Sequence, residues 1–179
     1  GNICAGMLAK KMGLPIDRFI ASNNENNVVT RYLQSQEYSP KPSVQTISNA
    51  MDVGNPSNFV RILELFNNEF EPLSKQLSSF SYSDEETRKA IKQVKEKYNY
   101  VMDPHGAVGY LGLQEFLAEN PDYYGTFLET AHPVKFLETV EEVIGEKVEI
   151  PVSIKEAMNK EKKAFNISDY NELKAYLMQ

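Results

Sequence analysis

The chain has 179 residues, with 19 lysines and arginines against 25 aspartates and glutamates and a formal charge of -6. That length suits one domain with a sizeable core, or a piece of a larger one. No lysine or arginine run exceeds two, so a nucleic-acid footprint is absent; no apolar run nears the roughly 20 residues that cross a bilayer, and residues 1 to 15 lack a signal-peptide layout. The expectation is a soluble cytoplasmic protein with neither nucleic acid nor membrane as partner. The single Cys4 has no second thiol for a disulfide or a zinc site, and reads as an inert buried group.

"GNICAGMLAKKMGLP" carries Cys4, Ala5, Leu8 and Met12 at helical spacing and stops at Gly13, with Pro15 beyond, which predicts a helix beginning at Gly1 and Asn2. "RFIAS" at 18 to 22 predicts a short buried strand. "NNENNVVTRYLQ" offers asparagine caps followed by Val28, Val29, Tyr32 and Leu33 on one helical face. Helix, strand, helix in succession points to an α/β sheet with crossover helices. A loop through Pro40 and Pro42 leads to "SVQTIS", expected as a strand, and then to "SNAMDVGNPSNF", a long loop that reads equally as a functional segment or a plain connector.

Asn55-Pro56 predicts a helix start with Pro56 at the first helical position, and Phe59, Ile62, Leu63 and Phe66 form its core stripe. Ser83 with Glu86 three residues on is a capping box, continued by a buried stripe of Ile91, Val94 and Tyr98 opposite the solvated Lys89, Lys92, Lys95 and Glu96. Asp103-Pro104 opens the next helix. Its Gly106, Gly109 and Gly112 each cost about 1 kcal/mol relative to alanine, so close packing on a neighbour is the expected compensation. "YGTFLET" at 124 to 130 predicts a strand with Phe127 and Leu128 buried, and Pro133 then begins a helix whose Phe136, Val140, Val143 and Ile144 face inward until Gly145. Beyond Pro151, "VSIKEAMNKEKK" and "SDYNELKAYLM", the latter capped by Ser168, predict two short helices.

Chemistry-bearing candidates are few. A helix opening at Gly1 and Asn2 presents free N–H groups and a positive dipole end that suit a phosphate; the alternative is a chain begun at a helix boundary. Thr130 lies at the carboxyl end of the expected strand, where ligands of open α/β sheets bind, although both Thr130 and His132 also read as caps of the following helix. His105 reads as a neutral pocket imidazole or as a satisfied structural histidine. Asp52 has no partner at catalytic or metal-ligand spacing, and no Ser-His-Asp order, zinc motif or Walker loop is present, so no metal is expected.

Taken together, "GNICAGMLAKKMGLPIDRFIASNNENN", "SNAMDVGNPSN", "DPHGAVGY" and "TAHPVKF" resemble, in order, the carboxyl-terminal part of the threonine synthase family, pyridoxal phosphate enzymes of fold type II. The resemblance covers residues 1 to about 136. It implies that Gly1 and Asn2 are the last two residues of a Gly-Asn-aromatic-Gly-Asn loop around the cofactor phosphate, and that Thr130 lies against the pyridine nitrogen. It implies, for the intact enzyme, conversion of O-phosphohomoserine and water to threonine and phosphate, with pyridoxal 5'-phosphate as electron sink. No lysine here matches the family's Schiff-base motif, which lies upstream of the phosphate loop, so this portion alone is expected to be inactive, with no catalytic residue of its own.

Two positions depart from the family: Glu129 replaces a small residue before the threonine, and Gly106 stands where threonine or alanine follows the histidine. Asn49, Asp52, Asn58 and His105 lie in blocks expected to line the active-site region, without individual roles. The fold expected is α/β, an incomplete fold-type-II domain of few, mostly parallel strands with helices in the majority. Residues 1–145 form the carboxyl-terminal part of the catalytic region and 146–179 a helical tail packed on it. Unpaired sheet edges would favour association. The rival expectation is a noncatalytic α/β module that binds a small phosphorylated ligand at the Gly1 helix start.

Overall fold

The computed structural model describes residues 1–158 and 160–178. Its sheet is a parallel pair in which β1 (Phe19–Asn23) runs beside β2 (Leu77–Ser81), in register from Phe19 against Leu77 to Asn23 against Ser81. A parallel pair requires a crossover. Here that connection holds α2 (Val28–Ser35), a 3₁₀ turn at Asn49–Met51, α3 (Phe59–Leu65) and α4 (Phe70–Ser74). Helix α1 (Asn2–Lys11) precedes β1; α5 (Asp84–Tyr98), α6 (Pro104–Glu119), a 3₁₀ turn at Pro133–Phe136 and α7 (Leu137–Ile144) follow β2. The fold is thus α/β with few strands and helices in the majority.

Two apolar clusters hold this frame. Met7, Ala21, Tyr32, Phe59, Ile62, Phe66, Leu73 and Leu77 fill the space around the sheet, with Tyr32 edge-on to Phe59 at 5.4 Å and to Phe70 at 5.6 Å. Ala90, Ile91, Val94, Met102 and Ala107 join α5 to α6, with Val143 and Ile144 of α7 packed against them. The capping box at Ser83 is formed in both directions: Ser83 Oγ accepts from the Glu86 amide at 3.3 Å and Glu86 Oε2 accepts from the Ser83 amide at 2.8 Å. Gly145 ends α7 at φ 71°, in the left-handed region that glycine enters without penalty. Helix α6 lies close on β1 because Gly112 has no side chain; a Cβ there would collide with Ser22 Oγ.

The structure corrects several expectations. Residues 124–130 are not a strand: the segment pairs with neither β1 nor β2, and Leu128 is 61% exposed. "SVQTIS" is also irregular, because its amides bond to distant side chains; Val44 N–H donates to Asn26 Oδ1 and Thr46 N–H to Asp52 Oδ2. The helix expected from Pro56 begins at Phe59, after a turn in which Phe59 N–H donates to the Pro56 carbonyl. In α1 the buried residue is Met7, with Ile3 and Cys4 partly buried, whereas Leu8 and Met12 face out. Tyr98 is exposed rather than part of the α5 stripe. Strand β2 and helix α4 had no counterpart in the sequence reading.

The chain divides into two units, Gly1–Val148 and Glu149–Gln179. In the first, Val148 N–H is tied back to Glu141 Oε1 at 3.1 Å. The second contains α8 (Val152–Met158) and α9 (Tyr170–Leu177). Asp169, not Ser168, caps α9, accepting from the amides of Asn171 and Glu172 at 2.7 and 3.0 Å. The helix expected to run on to Lys163 stops at Met158; Asn159 lies outside the described residues and 160–163 are irregular. No described helix is long and apolar enough to cross a membrane.

Candidate functional site

A cavity of about 1000 Å³ opens in the first unit between α1, β1, α6 and the segment 123–130. Gly1, Asn2, His105 and Thr130 all line it, as do Asn58 and Ala50. At one wall α1 begins without a side-chain cap, and nothing lies within 4 Å of where a Gly1 side chain would start. The amides of the first helical turn have no carbonyl four residues back to bond to. The amides of Asn2, Ile3 and Cys4 belong to that turn, and all three residues line the cavity. The cations of the lining are Arg18 and Arg61; among the described residues no lysine lines it. Arg18 is committed to the fold, donating to Ser78 Oγ at 2.7 Å and to the carbonyls of Lys75 and Ser74 at 2.7 and 3.2 Å.

The opposite wall is built from the start of α6 and the residues before α7. Asp103 caps α6, with its Oδ1 accepting from the His105 amide at 2.9 Å and from His105 Nδ1 at 2.6 Å. His105 Nε2 accepts from the Ala50 amide at 3.1 Å. A backbone N–H can only donate, so the imidazole proton sits on Nδ1 and points at Asp103. The ring also packs on Phe136, centroids 4.8 Å apart. His105 is thus both structural and a pocket residue. His132 is a cap: its Nδ1 accepts from the Val134 amide at 3.1 Å. Thr130 is exposed and lines the cavity, which separates the two polar residues that the sequence left together.

Ala50 is held in place by a buried polar knot. Asp52 accepts from Asn24 Nδ2, Asn26 Nδ2 and Thr46 Oγ1 on one oxygen, at 2.9, 3.1 and 2.7 Å, and from the Thr46 amide on the other at 2.9 Å. Its role is to fasten the loop carrying the 3₁₀ turn onto the end of β1, and it does not line the cavity. Beside His105 and Thr130 in sequence lies a pair of carboxyl groups, Asp103 and Glu129. Burial pushes Glu129 up to about 8, helped by its hydrogen bond to Asp103 and by the Asp103 charge. Burial also opposes ionisation of Asp103, but hydrogen bonds from His105 and Glu129 outweigh it and lower its pKa. The pair is therefore one carboxylate and one carboxylic acid.

A hydroxyl, a fixed imidazole and the first turn of α1 thus line one cavity in a parallel α/β frame, the class of architecture to which this chain belongs. Comparison with known proteins makes this specific. The family model "Threonine synthase, C-terminal" matches residues 106–177. The threonine synthase of Escherichia coli K12 is 44% identical over 156 residues, covering 87% of this chain and 36% of the relative. A crystal structure of threonine synthase from Escherichia coli superposes with a TM-score of 0.87 at 41% identity over 98% of this chain and 40% of that one. The structure described as pyridoxal phosphate-bound threonine synthase from Brucella melitensis gives 0.79 at 29% identity, over 98% of this chain and 43% of that one. The chain belongs to the threonine synthase family and corresponds to its carboxyl-terminal portion. It spans about two fifths of the length of the curated relatives it matches.

Proposed function

We propose that residues 1–148 supply the carboxyl-terminal share of a threonine synthase active site, which in the intact cytoplasmic enzyme acts as a carbon–oxygen lyase on O-phosphohomoserine and yields threonine and phosphate. The observation that carries this reading is that Gly1, Asn2 and Thr130, the positions singled out by the family resemblance, line one cavity. The donors present fit pyridoxal phosphate. The first-turn amides at the positive end of α1 suit a phosphate dianion, and the Thr130 hydroxyl suits a neutral contact to a ring nitrogen. When bound, the cofactor supplies an electron sink for charge developing beside the substrate's amino group.

The chain's own residues then bind and orient. The amides of Asn2 and its neighbours hold the phosphate by hydrogen bonding, without moving a proton. Thr130 offers a hydroxyl where a carboxylate would keep the pyridine nitrogen protonated, so it tunes the ring and is no base. His105, pinned from Ala50 and Asp103, presents a fixed imidazole on the same wall, and Phe127 and Leu113 add apolar surface to the lining. The lysine that anchors the cofactor is assigned to a part of the enzyme outside these residues, and the helical unit 149–179 to a tail of the catalytic region.

Borohydride reduction in the presence of pyridoxal phosphate tests this. The 179-residue chain should acquire no stoichiometric adduct at any one lysine, whereas the full-length gene product should carry one outside these residues and release phosphate from O-phosphohomoserine. A stoichiometric adduct on a lysine of this chain would overturn the assignment. In the full-length protein, Thr130→Val should leave stability within about 0.5 kcal/mol because the side chain is exposed. It should also lower kcat/KM about tenfold, the worth of one hydrogen bond of ~1.4 kcal/mol.

A further inference from the structure

The inner layer of the His105 wall holds two features with one explanation. Asp103 Oδ2 and Glu129 Oε1 are buried side-chain oxygens to which, among the described residues, no group donates a hydrogen bond. Two carboxylates cannot satisfy each other, but a carboxylic acid and a carboxylate can, since the acid contributes the missing O–H. Glu129 also occupies a space that only a glycine leaves open. A Cβ built on Gly106 would overlap all three atoms of the Glu129 carboxyl group. Gly106 follows His105 directly on α6, so the carboxyl that reaches over it is wedged against the backbone beside the imidazole.

We propose that Glu129 is a positioning residue: it shares one proton with Asp103 in the volume vacated at Gly106, and so locks in place the Asp103 carboxylate that holds His105 on the cavity wall. The Asp103 side chain is fully buried and that of His105 is 10% exposed, so the chain from the Ala50 amide through His105 and Asp103 to Glu129 is nearly screened from water. Losing the shared proton would place a second negative charge behind the imidazole without a donor to match it. The titratable groups around Glu129 are Asp103, the cap of α6, with His105 bonded to its far side, and Tyr100 before the helix; burial, then the charges of Glu129 and Asp103, raise the Tyr100 phenol. With Glu129 raised to about 8, the lock holds below that pH and opens above it.

As a site for the reaction proposed above, this inference rests on that reading, but its test needs neither cofactor nor turnover. In the full-length protein, infrared difference spectra of wild type against Glu129→Gln should show a protonated-carboxyl stretch that titrates away near pH 8 in wild type alone. In ¹⁵N-histidine spectra, the His105 signals, assigned by His105→Asn, should report the Nδ1–H form in wild type and in Glu129→Gln, whose amide still donates to Asp103. Glu129→Ala should keep that tautomer, which the Ala50 amide imposes, but broaden and shift the signals as Asp103 loses its second partner. Above that pH the wild-type signals should shift and those of Glu129→Gln should not. Gly106→Ala should lower Tm when Glu129 is present and much less in Gly106→Ala/Glu129→Ala. Absence of the protonated-carboxyl band, Glu129→Gln behaving like Glu129→Ala, or strictly additive Tm losses would each overturn the proposal. If the band and the Glu129→Ala shift are found while phosphate release is absent, the lock stands and the enzymatic assignment falls.

Discussion

Asp52→Ala tests how the site is supported from a distance. The carboxylate receives four donors, and their alternatives differ. Asn24 Nδ2 can fall back on Ser48 Oγ at 3.0 Å, Asn26 Nδ2 on the Val44 carbonyl at 2.9 Å, and Thr46 Oγ1 on Ser48 Oγ at 3.2 Å. The Thr46 amide has no other acceptor and is orphaned, at about 1–3 kcal/mol, while the three weakened bonds lose about 0.5 kcal/mol each. The sum is about 3 kcal/mol, near the lower end of each range because Asp52 is only half-buried and water can enter. Urea midpoints compared at constant m measure it. Released from Asp52, the loop should also let Ala50 drift from His105, so amide exchange at Ala50 should quicken in the variant. A loss below about 1 kcal/mol, with Ala50 still protected, would refute the view of Asp52 as the knot's hub.

Ile91 is completely buried between α5 and α6, and Ile91→Ala should cost about 3 kcal/mol by thermal or urea unfolding, within the range for large-to-small core changes. Ser83→Ala should cost about 1 kcal/mol through loss of the cap. Its pH signature has a defined sign. Hydrogen bonds from Ser83 lower the Glu86 pKa, so this contribution is present above the ordinary glutamate value and is lost as pH falls through the folded one. Ser83→Ala should therefore flatten the acid limb of stability against pH, and an unchanged limb would contradict the cap as its source.

Where local chemistry decides the structure, it was legible. The Ser83 box, the Asp103-Pro104 opening and the Gly145 stop each depend on residues within one helical turn, and each stands as expected. Strand β2 escaped notice because "LSSFS" reads as loop; its serines are used across the sheet, Ser79 Oγ donating to the Ala21 carbonyl and Ser78 Oγ accepting from Arg18. The "SVQTIS" strand failed for the converse reason: Asp52, Asn26 and Asp84 capture amides that a ladder would need. At the site, the clustering of asparagines in "NNENN" was the available signal for the buried knot, but read only as caps. Glu129 and Gly106, noted separately as departures from the family, are in contact, which one sequence without a structure could not show. The face of α1 was ambiguous because apolar residues surround that helix, and Phe19 packing on Gly6 chose it.

The parallel register has a kinetic consequence. Ala21 and Ser79, bonded across the sheet, are separated by 58 positions in sequence, so on a ribosome β1 emerges long before its neighbour exists. Closing so wide a loop is slow, since entropy must be spent before any pairing rewards it. During synthesis the β1 edge that will pair with β2 therefore waits without that partner. Chaperone dependence of the nascent polypeptide, measured by aggregation on translation in a chaperone-free lysate, follows from this long-range topology.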